Sequence, residues 1–155
     1  MTAAATGGSG DRGHDALGRV TLDRLIPSDV REIEPIVELV TRECRDLELS
    51  ARQCALNVPV ALTEALSNAI LRGNRGMREK QVRVRAMVSD TALVLEVADE
   101  GTGFDLDACT IDPTRPDNLE REDGRGLFLM RSLMDRVERY DLDAHNVVRL
   151  ILNRP

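Results

Sequence analysis

Three short stretches of this 155-residue chain combine residue types and spacings that could do chemistry. In "LTEALSN", Glu64 and Asn68 stand four apart, so in a helix they share one face. Ala65, Leu66, Ala69 and Ile70 flank the pair and set it at the edge of an apolar stripe. A carboxylate and a carboxamide there can orient a nucleophile and hold a hard cation, since Mg²⁺ takes oxygen ligands and keeps several waters. In "VADEGTGFD" an apolar run ends on Asp99, and Gly101 and Gly103 follow. An Asp at a strand end accepts a hydrogen bond from an exocyclic amine, while glycines without Cβ let the backbone approach a flat ring such as adenine. In "DGRGLFLM", Gly124 and Gly126 open a helix, and free N–H groups at a helix start form an anion site. No Lys-Ser/Thr follows those glycines, so this is not a P-loop. Taken singly, each stretch also reads as something ordinary: a solvated acid, a turn, a Gly-rich helix start.

The elements around these stretches can be read from periodicity. Residues 1–17 are small, Gly-rich and without apolar period, which predicts a disordered tail before a single domain over 18–155. "RVTLDRL" (Arg19 to Leu25) predicts a first strand. Ser28 and Asp29 then signal the start of a helix that carries Val30, Ile33, Val37 and Val40, with Pro35 early enough to be tolerated. The longest helical stretch, "LSARQCALNVPVALTEALSNAILRGN", presents Ala61, Leu62, Ala65, Leu66, Ala69 and Ile70 on one face. Pro59 leaves two options: Asn57 caps a helix with Pro59 in its first turn, or a longer helix from near Ser50 kinks there. Gly73 and Gly76 end it in either case. "QVRVRAMVS" and "ALVLEVAD" predict an antiparallel hairpin turning at "SDT". The acidic, Pro-containing run from about 105 to 123 predicts a long functional loop or lid. The helix that follows runs through Leu127, Met130, Leu133, Met134 and Val137, and "NVVRLIL" closes the chain as a strand.

Composition narrows the classes. A net charge of -6 and an aromatic content of 2% argue against a nucleic-acid platform or an anionic membrane surface. Cys44, Cys54 and Cys109 have neither paired spacing nor a nearby His, which argues against zinc and against a disulfide framework and fits a reduced, cytoplasmic setting. No stretch approaches 18 consecutive apolar residues, so no membrane span is expected.

The order of the three stretches is more specific than any of them alone. The chain resembles the anti-sigma factor serine/threonine kinases of the GHKL (Bergerat-fold) ATPase superfamily over about residues 20–152. "LTEALSNAILRGN" matches the N-box, "VADEGTGFD" the first glycine box, and "GRGLFLMRSLMDRV" the second glycine box with its Met-Asp-x-Val continuation. The resemblance implies a two-layer α/β sandwich, with helices on one face of a mixed, mostly antiparallel sheet and ATP held between the N-box helix and the lid. It implies that Asn68 binds Mg²⁺ between the ATP phosphates and that Glu64 is base toward a protein hydroxyl. Asp99 would read the adenine amine, Gly101 and Gly103 would let the backbone approach the ring, and Gly124, Arg125 and Gly126 would lie at the phosphates or lid. It further implies a sigma factor and a STAS-type anti-anti-sigma protein as partners, and a homodimer. The second reading, of a different class, is a nucleotide-sensing switch that grips a partner without transferring phosphate.

Two departures from the family pattern stand out. Arg72-Gly73 replaces a frequent His-Gly after the N-box. "HNVV" (His145 to Val148) stands where relatives often carry a Gly-Thr pair whose hydroxyl lies near the adenine. Sensor histidine kinases share the ATP-binding fold, but this chain has no room for their phosphoacceptor hairpin, and neither His14 nor His145 is placed to serve.

Overall fold

The structure, a computed structural model, describes residues 18–101 and 122–155. Within them five strands form one sheet: β1 (Arg19–Pro27), β2 (Gln81–Val88), β3 (Ala92–Asp99), β4 (Arg136–Leu142) and β5 (His145–Asn153). Their spatial order is β1-β2-β3-β5-β4, and all four pairings are antiparallel. Among the described residues three helices lie on one face: α1 (Ile33–Arg45), α2 (Gln53–Gly73) and α3 (Glu122–Leu133). This is the two-layer α/β architecture the sequence implied, with the sheet antiparallel at every pairing described.

Local chemistry accounts for the helix ends. Asp29 accepts the Arg31 N–H at 2.9 Å and starts the short 3-10 turn that leads into α1. Pro35 sits in the first turn of α1, where its missing N–H would be unpaired anyway. The approach to α2 is a reciprocal capping box: Ser50 Oγ accepts the Gln53 N–H at 3.0 Å and Gln53 Oε1 accepts the Ser50 N–H at 2.8 Å. Of the two options at Pro59, the longer helix forms. A π turn over Gln53–Asn57, closed by the Val58 N–H on the Gln53 carbonyl, leads into the α-helical segment that carries Pro59 at its start. A second π turn, Ala69–Gly73, finishes α2, and Gly76, at φ 68°, returns its N–H to the Ile70 carbonyl at 2.8 Å.

The end of α3 corrects the sequence reading. The helix stops at Leu133, and Val137, assigned to it by periodicity, belongs to β4. "RVERYDL" pairs along β5, and the turn between them, Asp143 and Ala144 at φ 50° and 64°, has the doubly left-handed backbone of a tight hairpin. Pairing with a strand outweighed a helical period that continued by chance through Met134.

The core lies between helices and sheet. Val40, Val58, Leu62, Leu66 and Ile70 from the helices meet Val82, Val84, Leu93, Leu95 and Leu150 from the strands. By length and composition α2 is apolar enough to cross a membrane, yet Val58, Ala61, Leu62, Ala65, Leu66, Ala69 and Ile70 are buried inside the domain. The opposite face of the sheet carries a row of alternating charge across all five strands, Asp23, Arg85, Glu96, Arg149 and Glu138, each opposite the next in register. Glu96, 4% exposed, accepts from Arg149 Nε at 2.9 Å and from the Tyr140 hydroxyl, and Arg149 also lies over the Tyr140 ring at 4.7 Å. Burial and the Glu96 hydrogen bond push the Tyr140 phenol up to about 12.

Candidate functional site

α2 supplies one wall of the site because its polar residues fall beside its buried stripe. Ala61, Leu62, Ala65 and Leu66 are buried, whereas Glu64 and Asn68 are half-buried at the stripe's edge. The first half of α3 lies against them. A Cβ placed on Gly126 would come within 2.8 Å of Glu64 Oε2, 3.4 Å of Asn68 Nδ2 and 3.7 Å of Asn68 Oδ1. Any side chain there would fill the space beside the carboxylate and the carboxamide, so glycine keeps that cradle open. Its donors are hard oxygens, which suit Mg²⁺. Among the described residues no cluster of three His, Cys, Asp or Glu could cage a metal, so an ion here would need oxygens from its ligand as well.

The other end of the site forms where β3 stops beside the end of α2. Asp99 is 3% exposed. Its Oδ1 accepts the Gly101 N–H at 2.7 Å and the Asn146 Nδ2 at 3.2 Å. A Cβ on Gly73 would stand 2.6 Å from that same oxygen, and one on Gly101 would stand 2.8 Å from the Gly73 Cα. Two glycines from different elements therefore let three backbone segments converge on one carboxylate. Asn74, fully buried, locks this junction: its Nδ2 donates to the Gln81 carbonyl at 3.0 Å and its Oδ1 accepts the Glu100 N–H at 2.8 Å. Burial pushes the Asp99 carboxyl above its ordinary value, opposed by the hydrogen bonds from Gly101 and Asn146 and by the charges of Arg139 and His145.

The sequence-derived residues thus fall into two groups on one helix. Glu64 and Asn68 meet Gly126, and Asp99 meets Gly101 at the helix's far end. Gly124 lies in the first turn of α3 and Arg125 is exposed on it. Gly103 and most of the 105–123 loop lie outside the described residues, as do His14 and Cys109. Arg72 is exposed beside the cluster. Val147 pairs with Ala98 and faces the open side of the sheet, away from Asp99. The residue of "HNVV" that reaches the acid is Asn146, which stands opposite Asp99 in the ladder. Sequence reasoning missed Asn74, Asn146 and the second role of Gly73. Asn146 lies 47 residues from Asp99 and Asn74 lies 26 from Glu100, so these contacts appear only once the strands are in place.

Buried Cys44 and Cys54 are free thiols, and burial next to Cys54 pushes the Cys44 thiol up to about 12, which marks it as packing rather than a nucleophile.

Comparison with known proteins points the same way. The profile of the histidine kinase-like ATPase domain family matches residues 26–152. Serine-protein kinase RsbW of Listeria monocytogenes is 29% identical over 97 residues, 59% of this chain and 62% of that protein. The anti-sigma F factor of Clostridium acetobutylicum is 38% identical over 87 residues, covering 53% and 57%, and RsbW of Bacillus subtilis is 34% identical over 86 residues, covering 52% and 54%. The chain therefore spans between about half and two thirds of the length of these relatives.

Proposed function

We propose that this chain, which belongs to the histidine kinase-like ATPase domain family, is an ATP-dependent protein serine/threonine kinase that also acts as an anti-sigma factor. The observation that carries the reading is the meeting of Gly126 with Glu64 and Asn68 on the helix whose far end faces Asp99. From Glu64 to Gly73 the helix rises roughly 13 Å at 1.5 Å per residue, a span that suits an extended nucleoside triphosphate. Asp99 then accepts from the adenine amine, and Gly101 and Gly103 let the backbone lie close to the ring. Gly124, Arg125 and Gly126 stand at the phosphates.

Asn68 would hold Mg²⁺, which when bound neutralises phosphate charge. Glu64 takes the proton from a protein hydroxyl as its oxygen bonds to the γ-phosphorus, and the bond from phosphorus to the ADP oxygen breaks. Phosphoryl transfer asks mainly for positioning and charge neutralisation, which this set of residues supplies. The names of the relatives support a sigma factor as the partner held and a serine protein as the substrate; we take the substrate to be of the anti-anti-sigma, STAS type, and the working form to be a cytoplasmic homodimer. Residues 1–17 are read as a tail outside the ATP-binding domain over 18–155.

The test is transfer of labelled γ-phosphate onto a STAS-domain partner. Glu64→Gln retains Mg²⁺-ATP binding and loses transfer by about 10²–10⁴-fold, the usual worth of a general base. A wild type that binds ATP and a sigma factor but labels no partner would instead establish the non-catalytic switch.

A further inference from the structure

Asn146, at 2% exposure, is buried as fully as the acid it faces. Its Nδ2 donates to Asp99 Oδ1 at 3.2 Å and to the Gly101 carbonyl, and its Oδ1 accepts from Arg139 Nη2. These partners allow one orientation of the amide, because a carboxylate and a carbonyl only accept and a guanidinium only donates. Arg139 is held in turn by Asp141, Nη2 to Oδ1 at 2.8 Å. A polar relay therefore runs from β4 through β5 to the end of β3, ending on the acid at the head of the site.

We infer that in the adenine-nucleotide site proposed above, on which this inference rests, Asn146 set by Arg139 is the positioning residue that makes Asp99 select adenine over guanine. Among the described residues, Asp99 Oδ1 takes two donors, and its other oxygen takes none and is the acceptor left for a ring amine. Adenine offers an amine at that ring position; guanine offers a carbonyl, which an ionised carboxylate repels. A protonated carboxyl is a donor and takes the guanine carbonyl instead. Selection therefore depends on keeping the acid ionised and fixing its rotation. Burial works against ionisation, and Asn146 with Gly101 works for it. The other charges acting on Asp99 are Arg139 from β4 and His145 from β5, with Asp141 behind Arg139; from the end of α2 it is faced by the uncharged Gly73 backbone.

The experiment is equilibrium binding of Mg²⁺-ATP and Mg²⁺-GTP to the full chain across a pH series from acid to neutral, since the Asp99 carboxyl is raised above its ordinary value. It compares wild type, Asn146→Leu and Arg139→Met, and repeats each in a His145→Gln background. Asn146→Leu removes the donor at similar volume. It is expected to cut the preference for ATP about tenfold, the worth of a lost buried hydrogen bond to a charged group, and to move the pH midpoint of ATP affinity upward. Arg139→Met leaves the amide in place but unoriented, and shifts preference and midpoint in the same direction; it also serves as the readout if Asn146→Leu does not fold. A folded variant with wild-type preference and wild-type midpoint overturns the inference while leaving the nucleotide site standing. A wild type that binds neither nucleotide removes both the site reading and the inference.

Discussion

At the scale of single residues Asp99 carries a charge that burial disfavours, and the proposed adenine contact gives that charge a use. Burial raises its carboxyl above the ordinary 3.8. The protonated form is thus favoured by folding, and its contribution is fully present below that ordinary value and is lost as pH rises through the folded one. At neutral pH the ionised acid costs stability. Asp99→Asn keeps an acceptor for Gly101 and Asn146 without the charge. Its ligand-free melting temperature should therefore equal or exceed that of wild type at pH 7, with the gap closing near pH 4. The same variant should lose most of the nucleotide effect: Mg²⁺-ATP at 100 times its dissociation constant adds about 2.7 kcal/mol to wild type, and a thermal shift of similar size in Asp99→Asn would remove adenine from that acid. Paired with Glu64→Gln, the variants separate the proposed adenine contact from the proposed base.

At the scale of elements, the two glycine contacts differ in what they press on. Gly126 faces the end of the flexible Glu64 side chain, whereas Gly101 faces the Gly73 backbone. Gly126→Ala should fold with stability within about 1 kcal/mol of wild type, since alanine also favours the helix, and yet lose phosphoryl transfer at least tenfold because the methyl group occupies the cradle. Gly101→Ala forces one backbone away from another and should cost about 1–3 kcal/mol in denaturant unfolding. A Gly126→Ala variant that folds and keeps full transfer would mean that α3 does not sit against Glu64 in solution. Helix periodicity located α2 and its polar edge well, because a long amphipathic stretch leaves a strong signal. It failed between Met134 and Val137, where the hairpin of β4 and β5 decides the backbone and the turn, Asp143-Ala144, lacks the glycine that usually announces it. The capping box at Ser50 and Gln53 was legible in principle, since it is a local pattern of residue types.

At the scale of the whole molecule, one sheet separates two kinds of surface. One face builds the apolar core under the helices and ends in the site. The other carries the charge row centred on Glu96, whose Arg85, Arg149 and Tyr140 partners form a half-buried network. Glu96→Ala leaves Arg149 with the Tyr140 hydroxyl and Arg85 with Asp23 at 3.9 Å, removes the buried acid between them, and should cost about 3 kcal/mol, measured as a fall in the denaturant midpoint at unchanged slope. A loss below 1 kcal/mol would mean that solvent screens the row as it does an ordinary surface pair. The sequence by itself determined the α/β class, the polar edge of α2 and the strand that ends on Asp99, because each depends on neighbours within a few turns or pleats. Only the tertiary structure decided that Gly73 and Gly101 converge on Asp99, that Gly126 meets Glu64, and that Asn146 rather than Val147 faces the acid. Those contacts depend on strand register and on how α3 lies across α2, and a shift of one residue in register turns every side chain to the opposite face.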